Sequence, residues 1–447
     1  MSQPIPPGNE SPPATPAGQD GAQADAAQAR AASSWLSKLG PGLITGAADD
    51  DPSGIATYSQ ADAQFGLQML WTVILTLPLM VGIQAISARI GRVSGAGLAT
   101  NMRRHLPRPL LYAIVSLLLV ANTINIAADI AAMGQAVSLL TGGPSHWYAA
   151  AAGLLSLLLQ VLLPYHRYVH VLKWLTLALF AYVVTAISLQ LPWLQVLQAM
   201  VWPTLSWQPA YVTTVVAVFG TTISPYLFFW QASQEVEDLR ADPHAHALKH
   251  ATEQAQPQLQ RIKVDTVIGM GFSNLVALCI MLTTAATLGA HGITDISSSA
   301  QAAQALRPIA GDFAFALFSL GIIGTGLLAV PVLAGSAAYA MAGAMHWRGS
   351  LELQYGSARK FYGIIAAATL IGTALCFTSI DPIRALYWSA VVNGVISVPI
   401  MVVLMLLARR PAVMGTLVIS RRLTVLGWLC TAVMAVAVAA MLLTMAL

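Results

Sequence analysis

The sequence predicts an all-α membrane protein of eleven transmembrane helices, built as two inverted five-helix repeats plus one further helix, with the first and sixth helices broken. Three observations carry this reading. Hydrophobic residues make up 57% and charged residues 9% of the 447 residues, and the mean hydropathy is +0.68, values foreign to water-soluble domains. Apolar stretches of about 20 residues, the length that crosses a bilayer, recur along the chain. Two of them are interrupted, the first at Asp49-Asp50-Asp51-Pro52-Ser53-Gly54 and the sixth at Ser224-Pro225.

Taken in order, residues 1–34 are rich in Pro, Ala, Gln, Gly and Ser and nearly lack large apolar side chains, the composition of a disordered tail. They also lack the basic-then-apolar layout of a signal peptide. Residues 35–447 form one transmembrane domain. Its spans run from Leu39 to Gly66, Leu70 to Ala88, Leu110 to Leu140, Tyr148 to Leu163 and Leu172 to Leu191, making a first repeat over 39–191. Tyr211 to Ser233, Val264 to Leu288, Phe313 to Met345, Tyr362 to Phe377 and Ile383 to Leu407 make a second repeat over 211–407, and 423–447 is the eleventh helix. Cys279, Cys376 and Cys430 all lie in apolar stretches and point to neither a disulfide framework nor a cysteine metal site.

Short cytoplasmic loops carry the excess of Lys and Arg. With the amino terminus inside, Arg89, Arg92, Arg103, Arg104, Arg108, Arg167, Lys173, Arg240, Lys249, Arg261, Lys263, Arg348, Arg359, Lys360, Arg409, Arg410, Arg421 and Arg422 all fall on the cytoplasmic side. Arg307 and Arg384 fall outside, and so does the carboxyl terminus. The net charge of +4 is thus a topology signal that calls for no nucleic acid, with anionic lipid headgroups as a minor second use. The compact loops fit a bacterial inner membrane. Nothing in the chain marks an obligate protein partner or a bound cofactor.

Charge inside a bilayer is costly and marks ion or substrate paths. A proline followed by small residues breaks the helix and frees carbonyls that are tolerated at that depth only when they face protein or a cavity. Two such breaks separated by four intact spans fit inverted repeats whose discontinuous helices meet near the bilayer midplane. Half-helix carboxyl ends then offer partial negative charge, which suits a cation.

The stretches Gly40-Pro41-Gly42, Asp51-Pro52-Ser53-Gly54, Ala63-Gln64-Phe65-Gly66 and Ile86-Ser87-Ala88-Arg89 resemble the first two spans of the Nramp (natural resistance-associated macrophage protein) divalent metal transporters. Asp129-Ile130-Ala131, Gly220-Thr221-Thr222-Ile223-Ser224-Pro225-Tyr226 and Val332-Leu333-Ala334-Gly335-Ser336 extend the resemblance to residues 38–410. It implies an amino acid/polyamine/organocation-type fold and a metal site at Asp51, with Thr221 and Ser224 in the sixth span. Departures are equally informative. Gly54 stands where the family has a ligating Asn, Ser224 where it has a ligating Met, Tyr226 where it has a His, and Ala132 where a second third-span carboxylate is usual. Loss of the thioether favours hard cations, so the chain resembles the Nramp-related magnesium transporters more than the iron and manganese members. Mg²⁺ is the expected cargo and Mn²⁺ a second one, with weak or absent proton coupling.

The remaining polar residues carry paired readings. Asp49 and Asp50 either line the path or cap the helix, and Ser224 either ligates or satisfies its own kinked backbone. Gly54, Tyr226, Asn393 and Glu235 are further candidates for the metal path. Glu235 with Glu237 and Asp238 forms either an acidic vestibule or a solvated helix end. Asn122, Asn125 and Asp129 share helical spacing and form either a proton route or interhelical hydrogen bonds. A proton-coupled Mn²⁺/Fe²⁺ symporter of the same family, a sodium-coupled organic solute carrier and a channel-like protein stay open as alternatives. No enzymatic motif is present.

Overall fold

The computed structural model describes residues 41–163, 176–296, 298–378 and 381–446. The tail expected over 1–34 and the basic pair Arg167 and Lys173 lie outside these residues. Among them, eight helices are long and apolar enough to cross a bilayer, counting the interrupted run 209–241 as one.

The first apolar stretch is split into α1 (Pro41–Asp49) and α2 (Pro52–Phe65). Next come α3 (Trp71–Ser94), the short α4 (Leu98–His105), α5 (Arg108–Thr141), α6 (Ser145–Leu162), α7 (Phe180–Ser188) and the short α8 (Trp193–Val201). The sixth stretch is split into α9 (Pro209–Thr222) and α10 (Pro225–Ala241). After them follow α11 (Ala255–Thr287), α12 (Ala314–Met345), α13 (Arg359–Leu375), α14 (Pro382–Ala408) and α15 (Arg421–Ala446). Both breaks fall where the residue types demand them. Proline at the first position of α2 and of α10 has no N–H to donate to the preceding turn and is pre-set for a new helix.

The halves of the broken helices are the most deeply packed parts of the bundle, whereas the outer faces of α6, α7 and α15 expose leucine, isoleucine and valine to the surroundings, as a lipid-facing surface requires. Small residues set the inner contacts, because helices in lipid associate through close packing rather than a hydrophobic drive. A Cβ placed on Gly46 of α1 would lie 2.2 Å from the Gly269 carbonyl oxygen of α11, and one on Gly220 of α9 would lie 2.1 Å from the Ala390 carbonyl oxygen of α14. At the start of α1, the Gly42 N–H donates to Asp265 of α11 at 2.7 Å. Between α3 and α10, Gln84 and Ser87 donate to the carbonyls of Leu227 and Phe228 at 2.9 and 2.5 Å.

The basic loops meet at one end of the bundle. Arg103 lies 2.9 Å from the ring of His346, Arg410 donates to the His105 carbonyl, and the Lys249 N–H donates to the Val93 carbonyl at 3.1 Å. The opposite end carries the Arg384–Asp295 pair at 3.8 Å and the exposed Trp193, Trp202 and Trp207, fitting an aromatic belt at a membrane interface.

Gly46→Ala should lower the midpoint of thermal unfolding in detergent, because the added methyl meets backbone that cannot yield. Gly271→Ala on the same α11 interface helix meets nothing within 4 Å and should hold or raise the midpoint, by about 0.5–1 kcal/mol of helix propensity. Equal midpoints for the two variants would refute the close α1–α11 contact.

Candidate metal centre

Asp51 occupies the gap between α1 and α2 and is buried. Its Oδ1 accepts the Gly54 N–H at 2.7 Å, which caps α2. Its Oδ2 receives Asn125 Nδ2 at 3.2 Å and faces the Tyr226 hydroxyl at 3.3 Å. One carboxylate therefore fulfils the capping role while its other oxygen looks across the break.

Polar groups from four helices converge there. Asn125 of α5 also donates to Asp129 Oδ2 at 3.2 Å and accepts from Asn393 of α14 at 3.2 Å. Tyr226, at the start of α10, spans from Asp51 to the Ala48 carbonyl at the end of α1. Asp49 and Asp50 share one hydroxyl, that of Ser273 on α11, at 2.7 and 3.0 Å. A hydroxyl has one hydrogen, so it satisfies one of those two carboxylates and leaves the pair short of positive charge. Asp49 Oδ1, Asp50 Oδ2, Asp129 Oδ1 and Asn393 Oδ1 are buried acceptors without a partner among the described residues. Such a concentration of unsatisfied oxygen is expensive unless a cation visits it.

The sixth-span residues are arranged differently. Ser224 turns its hydroxyl back onto the carbonyls of Gly220 and Thr221, at 3.0 and 2.7 Å, so its hydrogen serves the kinked backbone. The Thr221 side chain packs beside Gly54: a Cβ on Gly54 would sit 3.3 Å from Thr221 Oγ1 and 3.4 Å from both the Asp49 carbonyl oxygen and the Tyr58 ring. Gly54 thus sits in a close contact between α2 and α9, and a Cβ there would need the Thr221 hydroxyl to give by a few tenths of an ångström. Tyr58 completes the contact with a 3.0 Å hydrogen bond to Thr222.

Three sequence candidates lie apart from Asp51. Asn122 donates to the Leu333 carbonyl and to Ser336 of α12 at 2.8 and 2.7 Å, the interhelical alternative of its two readings. Glu235 pairs with Arg261 of α11 on the basic side of the bundle, and Glu237 is held by Ser350 at 2.7 Å. Glu237 and Asp238 line a cavity of about 1200 Å³ bounded by Ile44, Arg104, Tyr339 and Trp347, while Glu235 stays out of it. At the far end of the α9–α10 pair a cavity of about 390 Å³ is lined by Gln60, Gln64, Thr213, Asp295, Arg384 and Tyr387. The breaks lie between the two cavities. Sequence reasoning missed Ser273, whose partners Asp49 and Asp50 are remote in the chain; it also missed Tyr58. Among the described residues no three carboxylate, imidazole or thiolate groups converge as a ready-made chelate, so the donors gathered here are carboxylate, amide, hydroxyl and carbonyl oxygens.

The family model for natural resistance-associated macrophage protein-like chains matches residues 42–444. The chain is 28% identical over 401 residues to the divalent metal cation transporter MntH of Deinococcus radiodurans, covering 87% of this chain and 86% of that one. With MntH of Klebsiella pneumoniae the identity is 27% over 409 residues, covering 89% and 92%. The fold is similar to that of the Eremococcus coleocola manganese transporter, with a TM-score of 0.67 and 20% identity over 90% of this chain and 85% of that one.

Asn125→Ala leaves Asp51 and Asp129 without their shared donor. Unfolding in detergent should shift by about 1–3 kcal/mol, the cost of unsatisfied buried carboxylates; an unchanged midpoint would mean that the amide bridge does not hold the breaks together.

Proposed function

The chain belongs to the natural resistance-associated macrophage protein-like family, whose members are transporters rather than enzymes, and we propose that it carries a divalent cation across the bilayer by alternating access around the two helix breaks. Asp51 carries the reading: a buried carboxylate between opposed half-helices, with one oxygen turned to a cluster of unsatisfied oxygens and a cavity at either end of the path. Mn²⁺ is the cargo that the names of the relatives favour, since one solved neighbour is a manganese transporter. The donor set supports the same ion, because carboxylate, carbonyl and hydroxyl oxygens without a thioether suit Mn²⁺ and Mg²⁺ over softer metals. Mg²⁺ is the finer expectation. It binds through few carboxylates and keeps several waters.

Asp51 is the principal ligand, joined by the Thr221 carbonyl and, once its own backbone contacts loosen, by Ser224. Asp49 and Asp50 line the path on the α1 side, with Tyr226 and Asn393 around Asp51. We read the topology as five plus five plus one. Broken α1–α2 precedes the spans α3, α5, α6 and α7; broken α9–α10 precedes α11, α12, α13 and α14; α15 is the extra helix. The gathering of basic loops at one end supports an amino terminus inside, a carboxyl terminus outside and residence in a bacterial inner membrane.

For proton coupling two readings stand. The lack of a second carboxylate at Ala132 and of an imidazole at Tyr226 supports uncoupled flux, whereas the Asn125 bridge from Asp51 to Asp129 supports a proton-coupled symporter.

In proteoliposomes Asp51→Asn should abolish saturable Mn²⁺ uptake, a loss of at least about a hundredfold for removal of the charged ligand. Flux that persists in this variant would sink the carrier reading, and flux that never saturates would favour a channel. In competition experiments unlabelled Mg²⁺ should displace Mn²⁺ better than Ca²⁺ does; preference for Fe²⁺ with Mg²⁺ ignored would overturn the ligand-softness argument. An interior pH dye should stay constant during Mn²⁺ entry, and acidification in step with the metal would decide for the symporter.

A further inference from the structure

Residues 189–208, which join α7 to α9, contain no Asp, Glu, Lys or Arg. Within them Leu194, Leu197, Val201, Trp202, Leu205 and Trp207 are each more than half exposed. So many large apolar side chains left uncovered over so short a stretch mark a surface that meets lipid or a partner. The exposed Val184 and Ile187 of α7 lead into it along the chain.

The short helix α8 organises this surface. Its nine residues reach about 14 Å, too little to cross a bilayer. It packs on α3 and on the turn Gly66–Met69 that follows α2, and its buried side chain is Val196. Around the helix from Val196, Leu194, Leu197 and Val201 recur at three- and four-residue spacing and make one apolar stripe. Gln195, Gln198 and Trp202 recur at the same spacing and make a second row, all three exposed. That row borders a groove of about 860 Å³, which Phe65, Leu67 and Gln68 also line. The volume is in the range that holds one small molecule.

The chemistry of the groove narrows what fills it. Interfacial helices that select anionic lipids do so with Lys or Arg on the polar face, and the groove has no charged side chain. It offers the amides of Gln68, Gln195 and Gln198 beside aromatic and aliphatic walls. An amide both donates and accepts, so its N–H suits a phosphate oxygen and its carbonyl suits an ammonium. One phospholipid carries both groups next to an acyl chain. Trp202, with an apolar ring and a polar edge, belongs at the level where headgroup and chain meet.

We propose that α8 lies in the headgroup layer and that the groove between it and the end of α2 holds one phospholipid with a zwitterionic, ammonium-bearing headgroup. The acyl chain runs along Phe65 and Leu67, and the phosphate and ammonium rest on the three glutamines. Because the turn Gly66–Met69 joins α2 to α3, the lipid braces the end of that half-helix remote from Asp51. Placing this end on the outer leaflet rests on the topology proposed above; the lipid site itself does not.

The full chain, purified in detergent and titrated with phospholipids of one acyl composition, tests this. Phosphatidylethanolamine should raise the midpoint of thermal unfolding saturably, by at least about 3 °C more than phosphatidylglycerol does, as a ligand of the folded state would. The double variant Gln195→Leu, Gln198→Leu keeps side-chain size and removes the amides, and should bring the two lipids to within about 1 °C of each other. In nanodiscs, a phosphatidylethanolamine with a diazirine on its acyl chain should cross-link to residues 65–68 and 195–202. Ala199→Trp, which fills the groove from its own lining, should lose those cross-links and keep the ones elsewhere on the bundle. If the double variant does not survive purification, the cross-links decide alone. Equal stabilisation by the two lipids in the wild type, a preference that survives in the double variant, or cross-links absent from the groove would overturn the proposal. So would a dimer whose protein–protein cross-links run through residues 193–205, which would make this face a contact between copies of the chain.

Discussion

Keeping the Asp51 carboxylate ionisable and useful inside an apolar bundle is the constraint to which the rest of the structure answers. A lone charge there would cost more than a single helix cap returns. The chain divides the load: the α2 backbone takes one oxygen through Gly54, and Asn125 and Tyr226 meet the other. Those partners come from α5 and α10, and Asn125 is itself held by Asn393 of α14. A site assembled this way cannot exist before the helices have packed, so the small residues that let backbones approach to contact distance serve the site as much as the fold.

The same arrangement links the site to movement. Both half-helix pairs start afresh at a proline, so neither joint holds a complete ladder of backbone hydrogen bonds. Tyr226 bridges the joints by reaching from the start of α10 to the end of α1. Any rotation of α1 or α10 about its break therefore changes the surroundings of Asp51 directly. The acids further along α10, Glu235 and Glu237, are held separately, by Arg261 and Ser350, away from the break.

The broken spans were legible because an apolar stretch tolerates proline and charge together in few settings besides a helix break that lines a path. Span lengths were less so: the fifth predicted span falls partly outside the described residues and continues as the short α7, and the second predicted span, Leu70 to Ala88, continues to Ser94 as α3, where the Arg92 and Val93 carbonyls accept the Leu248 and Lys249 N–H groups. Asp51, Asn125, Asp129 and Tyr226 could be read from spacing and from resemblance to relatives. Ser273 and Tyr58 could not, since their significance comes from residues more than 160 positions away, and a single serine or tyrosine in an apolar helix has no local signature. Asn122 shares the spacing of Asn125 but not its neighbours, because one turn of a long helix is enough to carry an amide from the break to the α12 backbone.

Gly54 has a bearing on how the two broken spans fit together. Position 54 lies against Thr221, the Asp49 carbonyl and Tyr58, so a side chain restored there would need the Thr221 hydroxyl to give by a few tenths of an ångström. A larger residue at 54 and a shift of the Thr221 side chain therefore belong together, because the two positions share one contact. The two broken spans are in this way coupled through side-chain volume as well as through hydrogen bonds, so a change of residue on one is felt as a change of fit on the other.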